Sequence, residues 1–362
     1  MPRPRPPDYR GLRSVRCCVS SLPSHFVLPD GPRLVLMRWT GTGLAPSGRL
    51  GLPPSDRPTA TNDRWVVAVP PKGRSVHCWR IHTGGPVDHR VLPLPDRTEV
   101  HAVALVGDTL YVGGARGDET LCCWDLSESE PARRPIALPD NIRAPGKAID
   151  GLLHDADRLI AVDDIVFPKW NLVYDIQTPT APILQSMHRI PGHGSYEQIV
   201  SAALGDTHVA LLSSTVGRSG SYRHIALLDR SSLRECADIT VGRSLHQDVR
   251  QLDWRALSFS GSRLLIAAGT DGLLSLDLAA VSPPPDPGPP ANETETKQTG
   301  QSRRRTLRKG RQAFAKAALD GLRQHPLPAG EAVGVTPLPD SSQLLVRTQQ
   351  GEAWGWCLVD PT

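Results

Sequence analysis

A two-strand pattern recurs along this chain at least six times, and no other feature limits the fold as much. The first member is a short apolar run directly after a polar turn, at residues 65–69, 110–113, 159–162, 209–212, 264–267 and 344–346. About 12 to 19 residues later a second apolar run ends in an aromatic residue or leucine, usually beside Asp: Trp79-Arg80, Trp124-Asp125, Tyr174-Asp175, Leu228-Asp229, Leu276-Asp277 and Trp356. A unit of about 45–55 residues built from antiparallel strands marks the blade of a β-propeller.

The turn ahead of each first member has a shared chemistry: Asn62-Asp63-Arg64, Gly107-Asp108-Thr109, Asp155-Ala156-Asp157-Arg158, Gly205-Asp206-Thr207, Gly261-Ser262-Arg263 and Asp340-Ser341-Ser342. Gly, Asn and Asp tolerate the backbone angles of tight hairpins, so each marks a chain reversal. With one insertion removed, the spacing of the first members is about 48 residues, a blade-sized period. Residues 14–58 are also blade-sized and hold two strand candidates, 15–19 and 34–39. Seven blades are expected, with six the alternative. Residues 354–359 read as the third strand of the last blade, which leaves its fourth strand to a donor; the N-terminal segment is expected to latch the ring there and cover two sheet edges.

The chain therefore reads as all-β: a flexible tail over 1–13, a single propeller over 14–282 and 329–362, and an insertion over 283–328. The insertion opens on the proline-rich run 283–290, passes through a polar stretch expected to be disordered, and reaches Arg303, Arg304, Arg305, Arg308, Lys309 and Arg311 with no acid among them. Leu307, Phe314, Ala318 and Leu322 then share one face of a predicted amphipathic helix over 306–323. Such a run suits an anionic partner, whether nucleic acid, an acidic protein or a charged lipid surface.

Several units resemble the LVIVD-type propeller repeat of bacterial and archaeal proteins, in which an apolar strand ends in Asp and enters a proline-containing turn. Asn171-Leu172-Val173-Tyr174-Asp175-Ile176, followed by Thr178-Pro179 and Ala181-Pro182, carries the likeness best. Leu121-Cys122-Cys123-Trp124-Asp125-Leu126 with Pro131 is similar, and its Trp-Asp pair also resembles WD40 repeats. The resemblance implies a rigid ring whose faces bind partners.

Composition adds compartment and class. The 362 residues carry a formal charge of +4, too little to steer nucleic acid unless concentrated on one surface. No run of 18 apolar residues occurs, so no transmembrane segment is expected. Seven cysteines, an odd number that includes Cys17-Cys18 and Cys122-Cys123, read as buried thiols of a reducing cytoplasm. No zinc spacing, GxSxG elbow or phosphate loop is present, and no cofactor or metal ligand set is assigned.

The densest polar cluster is Asp163-Asp164, with Asn141, Asp150, Lys169 and Trp170 near in sequence. Two carboxylates after a strand are weak candidates for holding a cation or a substrate hydroxyl at the channel mouth. Phe167 and Trp170, in an apolar loop beside them, are candidates for a partner contact. His188, His193, Tyr196 and Glu197 form a second polar group, and His246 with Asp248 a third. The reading that follows is a monomeric, soluble, non-catalytic interaction scaffold of a bacterial multi-protein system. A metal-dependent hydrolase or lactonase, and nucleic-acid binding through the basic run, are the alternatives.

Overall fold

A computed structural model describes residues 24–30, 33–52, 59–70, 74–82, 85–94, 99–115, 120–140, 148–163, 169–190, 197–217, 220–240, 256–269, 272–279, 312, 315–316, 320, 322–325, 327, 331–350 and 353–360. These residues form seven antiparallel sheets. In chain order the sheets hold β1 (His25–Asp30), β2 (Arg33–Trp39) and β3 (Leu44–Arg49); β4 (Thr59–Thr61), β5 (Trp65–Ala68), β6 (Ser75–His82) and β7 (Gly85–Pro93); β8 (Glu99–Val106), β9 (Thr109–Ala115), β10 (Leu121–Asp125) and β11 (Arg134–Pro135). The next three are β12 (Ile149–His154), β13 (Arg158–Asp163), β14 (Trp170–Asp175) and β15 (Ile183–Arg189); β16 (Glu197–Leu204), β17 (His208–Gly217), β18 (Gly220–Asp229) and β19 (Glu235–Thr240); β20 (Leu257–Ser260), β21 (Arg263–Ala267), β22 (Leu273–Asp277) and β23 (Arg323–His325). The last holds β24 (Glu331–Pro337), β25 (Leu344–Gln350) and β26 (Ala353–Val359). This is the seven-bladed propeller that the repeat predicts.

The leading strands β4, β8, β12, β16, β20 and β24 touch in succession, as strands nearest a common axis must. The recurring apolar run after each polar turn is therefore the second strand from the axis. The first sheet is offset from the others. In five sheets a residue at the end of the third strand donates its N–H to a carbonyl just ahead of the second: Ile81 to Arg64, Leu126 to Asp108, Ile176 to Asp157, Arg230 to Thr207 and Leu278 to Ser262. Trp39 donates to Ser24 in the same way, so β1, β2 and β3 hold the second, third and fourth positions of their blade. The innermost position of the first blade, the outermost of the last, and the expected N-terminal latch with its candidate strand 15–19 lie outside the described residues.

The ring closes between these two sheets, where Phe26, Leu28, Val35, Met37 and Trp39 pack with Leu338 and Leu345. The Trp39 Nε1–H donates to the Pro339 carbonyl across this seam at 3.1 Å.

Second strands such as β5, β13 and β21 are covered on both faces by neighbouring blades, and they read as continuous apolar runs for that reason. Every residue of β5 is buried, whereas the outer strand β15 has none. The turn residues do more than reverse the chain. Asn62 Oδ1 accepts the N–H groups of Arg64 and Trp65, while its Nδ2 donates to Gly107 O of the next blade at 2.8 Å. The Asp108 carboxylate accepts Arg64 Nη1 at 2.7 Å and Trp65 Nε1 at 2.8 Å. Ser24 likewise reaches Asp63, and Arg230 reaches Asp155. The turns thus stitch neighbouring blades together along one face of the ring.

Arg323–His325, at the end of the stretch read as an insertion ahead of the last blade, pairs with β22 as the outer strand of the sixth sheet. The basic run accordingly lies in the connection between the third and fourth strands of that blade. Among the described residues α-helix is confined to Gln312, Ala315, Lys316 and Asp320, inside the predicted amphipathic segment.

One of the stitched turns sets a pH response. Burial drives the His154 imidazole down to about 4 from its ordinary 6.5. Burial raises the neighbouring Asp155 carboxyl, but hydrogen bonds from Arg230 and Asp157 and the charge of Arg158 outweigh it and leave the group at about 2. Between pH 6.5 and 4 the unfolded chain binds a proton at His154 that the fold does not, so stability falls as pH drops through that window. The Asp155 contribution is present above its ordinary 3.8 and is lost toward about 2. Melting temperature is expected to fall continuously from pH 6.5 downward, and His154→Leu to flatten the upper part of that decline.

Candidate functional site

Four of the leading strands carry a β-bulge at the corresponding place, between Val100 and Ala102, Ile149 and Gly151, Ile199 and Ser201, and Ala332 and Gly334. A bulge adds one residue on one side of the ladder and re-aims its side chain. In the third and fourth blades that residue is His101 and Asp150. These two meet across the blade interface, with His101 Nδ1 at 2.5 Å from Asp150 Oδ1. With Asp150 ionised the carboxylate only accepts, and the ring then carries its proton on Nδ1. The other nitrogen, Nε2, faces Glu99 Oε2 at 4.0 Å.

The three groups form a line from solvent to interior. The Glu99 side chain is 34% exposed, while those of His101 and Asp150 are 2% and 3% exposed. Glycine makes the close approach possible. A Cβ on Gly114 would stand 2.3 Å from Glu99 O, and one on Gly113 would stand 2.6 Å from Ile149 Cγ2. At 4.0 Å Glu99 and His101 are an electrostatic pair without a hydrogen bond, so the line sets a surface carboxylate beside the buried pair.

Asp163, the last residue of β13, is fully buried and pairs with Ile149 on one side and Trp170 on the other. It therefore lies one residue from Asp150 on a paired strand, and the structure brings this part of the sequence cluster together. Asp164, Phe167 and Asn141 lie outside the described residues, as does the whole basic run Arg303, Arg304, Arg305, Arg308, Lys309 and Arg311. Lys169 is buried. Trp170 is half-buried against the core shared by the third, fourth and fifth blades. Next to it, Asn171 is 1% exposed, and neither amide atom has a partner.

In the second polar group, His188 lies across from Asn171 on β15 and its Nε2 is 3.0 Å from Ser186 Oγ. Burial and the charge of Arg234 hold its pKa below the usual imidazole range. His193 and Tyr196 lie outside the described residues, as do His246 and Asp248. Glu99 and His101 are absent from the sequence reading. Their signal is a pair of polar residues at i and i+2 that opens an otherwise apolar strand.

A comparison with protein-family models gives no match, and neither does one with curated proteins. Solved structures do match. Hydrazine synthase of Kuenenia stuttgartiensis aligns with a TM-score of 0.58 at 13% identity, covering 94% of this chain and 96% of that one. The likeness is one of fold. BamB from Moraxella catarrhalis aligns at 0.45 and 13% identity over 92% of this chain and 82% of its own. A periplasmic gluconolactonase of Pseudomonas aeruginosa aligns at 0.47 and 14% over 69% and 74%. At 13% identity the likeness to hydrazine synthase is one of architecture, and architecture alone selects no function.

Proposed function

We propose that this chain is a non-catalytic propeller scaffold, built on LVIVD-like units, that binds a protein partner through its faces and an acidic surface through the basic run. The carrying observation is that the groups best suited to chemistry are enclosed in the wall: Asp163 is fully buried, and the side chains of His101 and Asp150 are 2% and 3% exposed. A substrate cannot touch these side chains without parting two blades. The rigid faces and the density of charge over 303–311 supply the binding surfaces. The five described cysteines are all free thiols, which supports a cytoplasmic setting.

Glu99 favours a second reading. It alone of the line reaches solvent, and a carboxylate backed by His101 and Asp150 is equipped for acid–base work on a ligand at the channel mouth. Affinity capture from the native host separates the two, using intact protein, a variant with Arg303, Arg304, Arg305, Arg308, Lys309 and Arg311 changed to serine, and Glu99→Gln. Under the scaffold reading a stoichiometric protein partner is retained by intact protein and by Glu99→Gln, and its recovery drops at least about tenfold with the serine variant. A lactone- or ester-cleaving activity abolished by Glu99→Gln, with no stoichiometric partner, overturns it.

A further inference from the structure

The outer half of the second blade holds a histidine pair that neither the repeat nor the axial line explains. On β6 and β7, Cys78 pairs with Arg90 and Arg80 with Val87, so Trp79 alone opposes Asp88 and His89. Asp88 takes a left-handed φ of 49° to accommodate the extra residue. The bulge swings His89 toward His77, and the two rings meet with Nδ1 of His77 at 3.0 Å from Nε2 of His89. Trp79 lies beneath His89, nearly parallel at 8° and 4.7 Å between centroids. The indole is 5% exposed, so it forms a fixed floor under an exposed imidazole. Cys78 is buried and takes no part, its thiol pushed up to about 12 by that burial.

We propose that His77 and His89 form a surface site for a tetragonal transition-metal ion, copper(II) by preference. Two imidazole nitrogens 3.0 Å apart, each about 2.0–2.1 Å from an ion, subtend an angle of about 91–97° at it. That is the angle between neighbouring ligands of square-planar or octahedral geometry and is narrower than a tetrahedral site asks for. Among divalent ions of the first row copper binds such nitrogen sites most tightly. Each ring binds through its inward nitrogen and carries its proton on the outward one, so one ring changes tautomer and no net proton leaves a neutral pair. Among the described residues no group of three or more ligating side chains exists, and water fills the remaining positions.

The test is calorimetric titration of tag-free, full-length protein with copper(II), joined to electron paramagnetic resonance and tryptophan emission. The expected result is one equivalent bound, a tetragonal signal split by two nitrogens, and quenching of Trp79 through the ring stacked on it. His89→Ala, at an exposed position, and His77→Gln are each expected to weaken binding at least about tenfold and to remove the split signal while leaving the melting temperature in place. Unchanged copper affinity and stoichiometry in both variants, or no copper bound by the intact protein, overturns the assignment. A site that prefers zinc over copper overturns the geometric part of it.

Discussion

Asp150→Ala is expected to lower the unfolding free energy by about 1–3 kcal/mol at pH 7, because it removes a carboxylate hydrogen-bonded to a buried imidazole. His101 and Asp150 come from different blades and their side chains are 2% and 3% exposed, so water cannot replace the missing carboxylate. The double variant His101→Leu with Asp150→Leu removes both polar groups and is expected to recover most of the loss, since apolar groups of similar size are often neutral in place of a buried pair. Urea unfolding of the two single variants and the double variant measures the coupling. A loss under about 1 kcal/mol for Asp150→Ala would remove this pair as the clasp between the third and fourth blades.

Gly114→Ala is expected to cost a similar amount, about 1–3 kcal/mol. The added carbon would fall 2.3 Å from Glu99 O and 3.2 Å from Glu99 C, and backbone cannot swing aside as a long side chain can. The damage should extend to the site, because Glu99 heads the line that reaches His101. Gly107→Ala makes the contrast: its φ is +57° and nothing lies within 4 Å of the new Cβ. It carries only conformational strain, about 1–2 kcal/mol. Thermal unfolding measures both losses, and one under about 1 kcal/mol for Gly114→Ala would contradict the crowding argument.

The blades were legible because each repeats the same physical demand. A second strand covered on both sides must be apolar throughout, and the turn before it must reverse the chain, so residues 65–69 or 159–162 stand out with no knowledge of their neighbours. Radial order was not legible in the same way. The innermost strands are short or bulged, as in β4 and β8, and a bulge breaks the alternation by which a strand is recognised. That is also why His101 carries no local signal while Asp163 does: Asp163 stands beside a second carboxylate, whereas the histidine sits in the apolar run Val100, Ala102, Val103 and Ala104. Its partner is 49 positions away, a separation no local pattern encodes. The copper site was hidden for a related reason, since His77 and His89 are brought together only by the bulge opposite Trp79.

The bond from Trp39 to Pro339 spans 300 positions, and this separation bears on how the molecule is made. During synthesis the apolar face of Phe26, Val35 and Met37 must wait, uncovered, until Leu338 and Leu345 have left the ribosome. Ring completion is thus the slowest topological step. Translation that stalls ahead of residue 338 would release a nascent chain with a sticky flank, a natural target for chaperones.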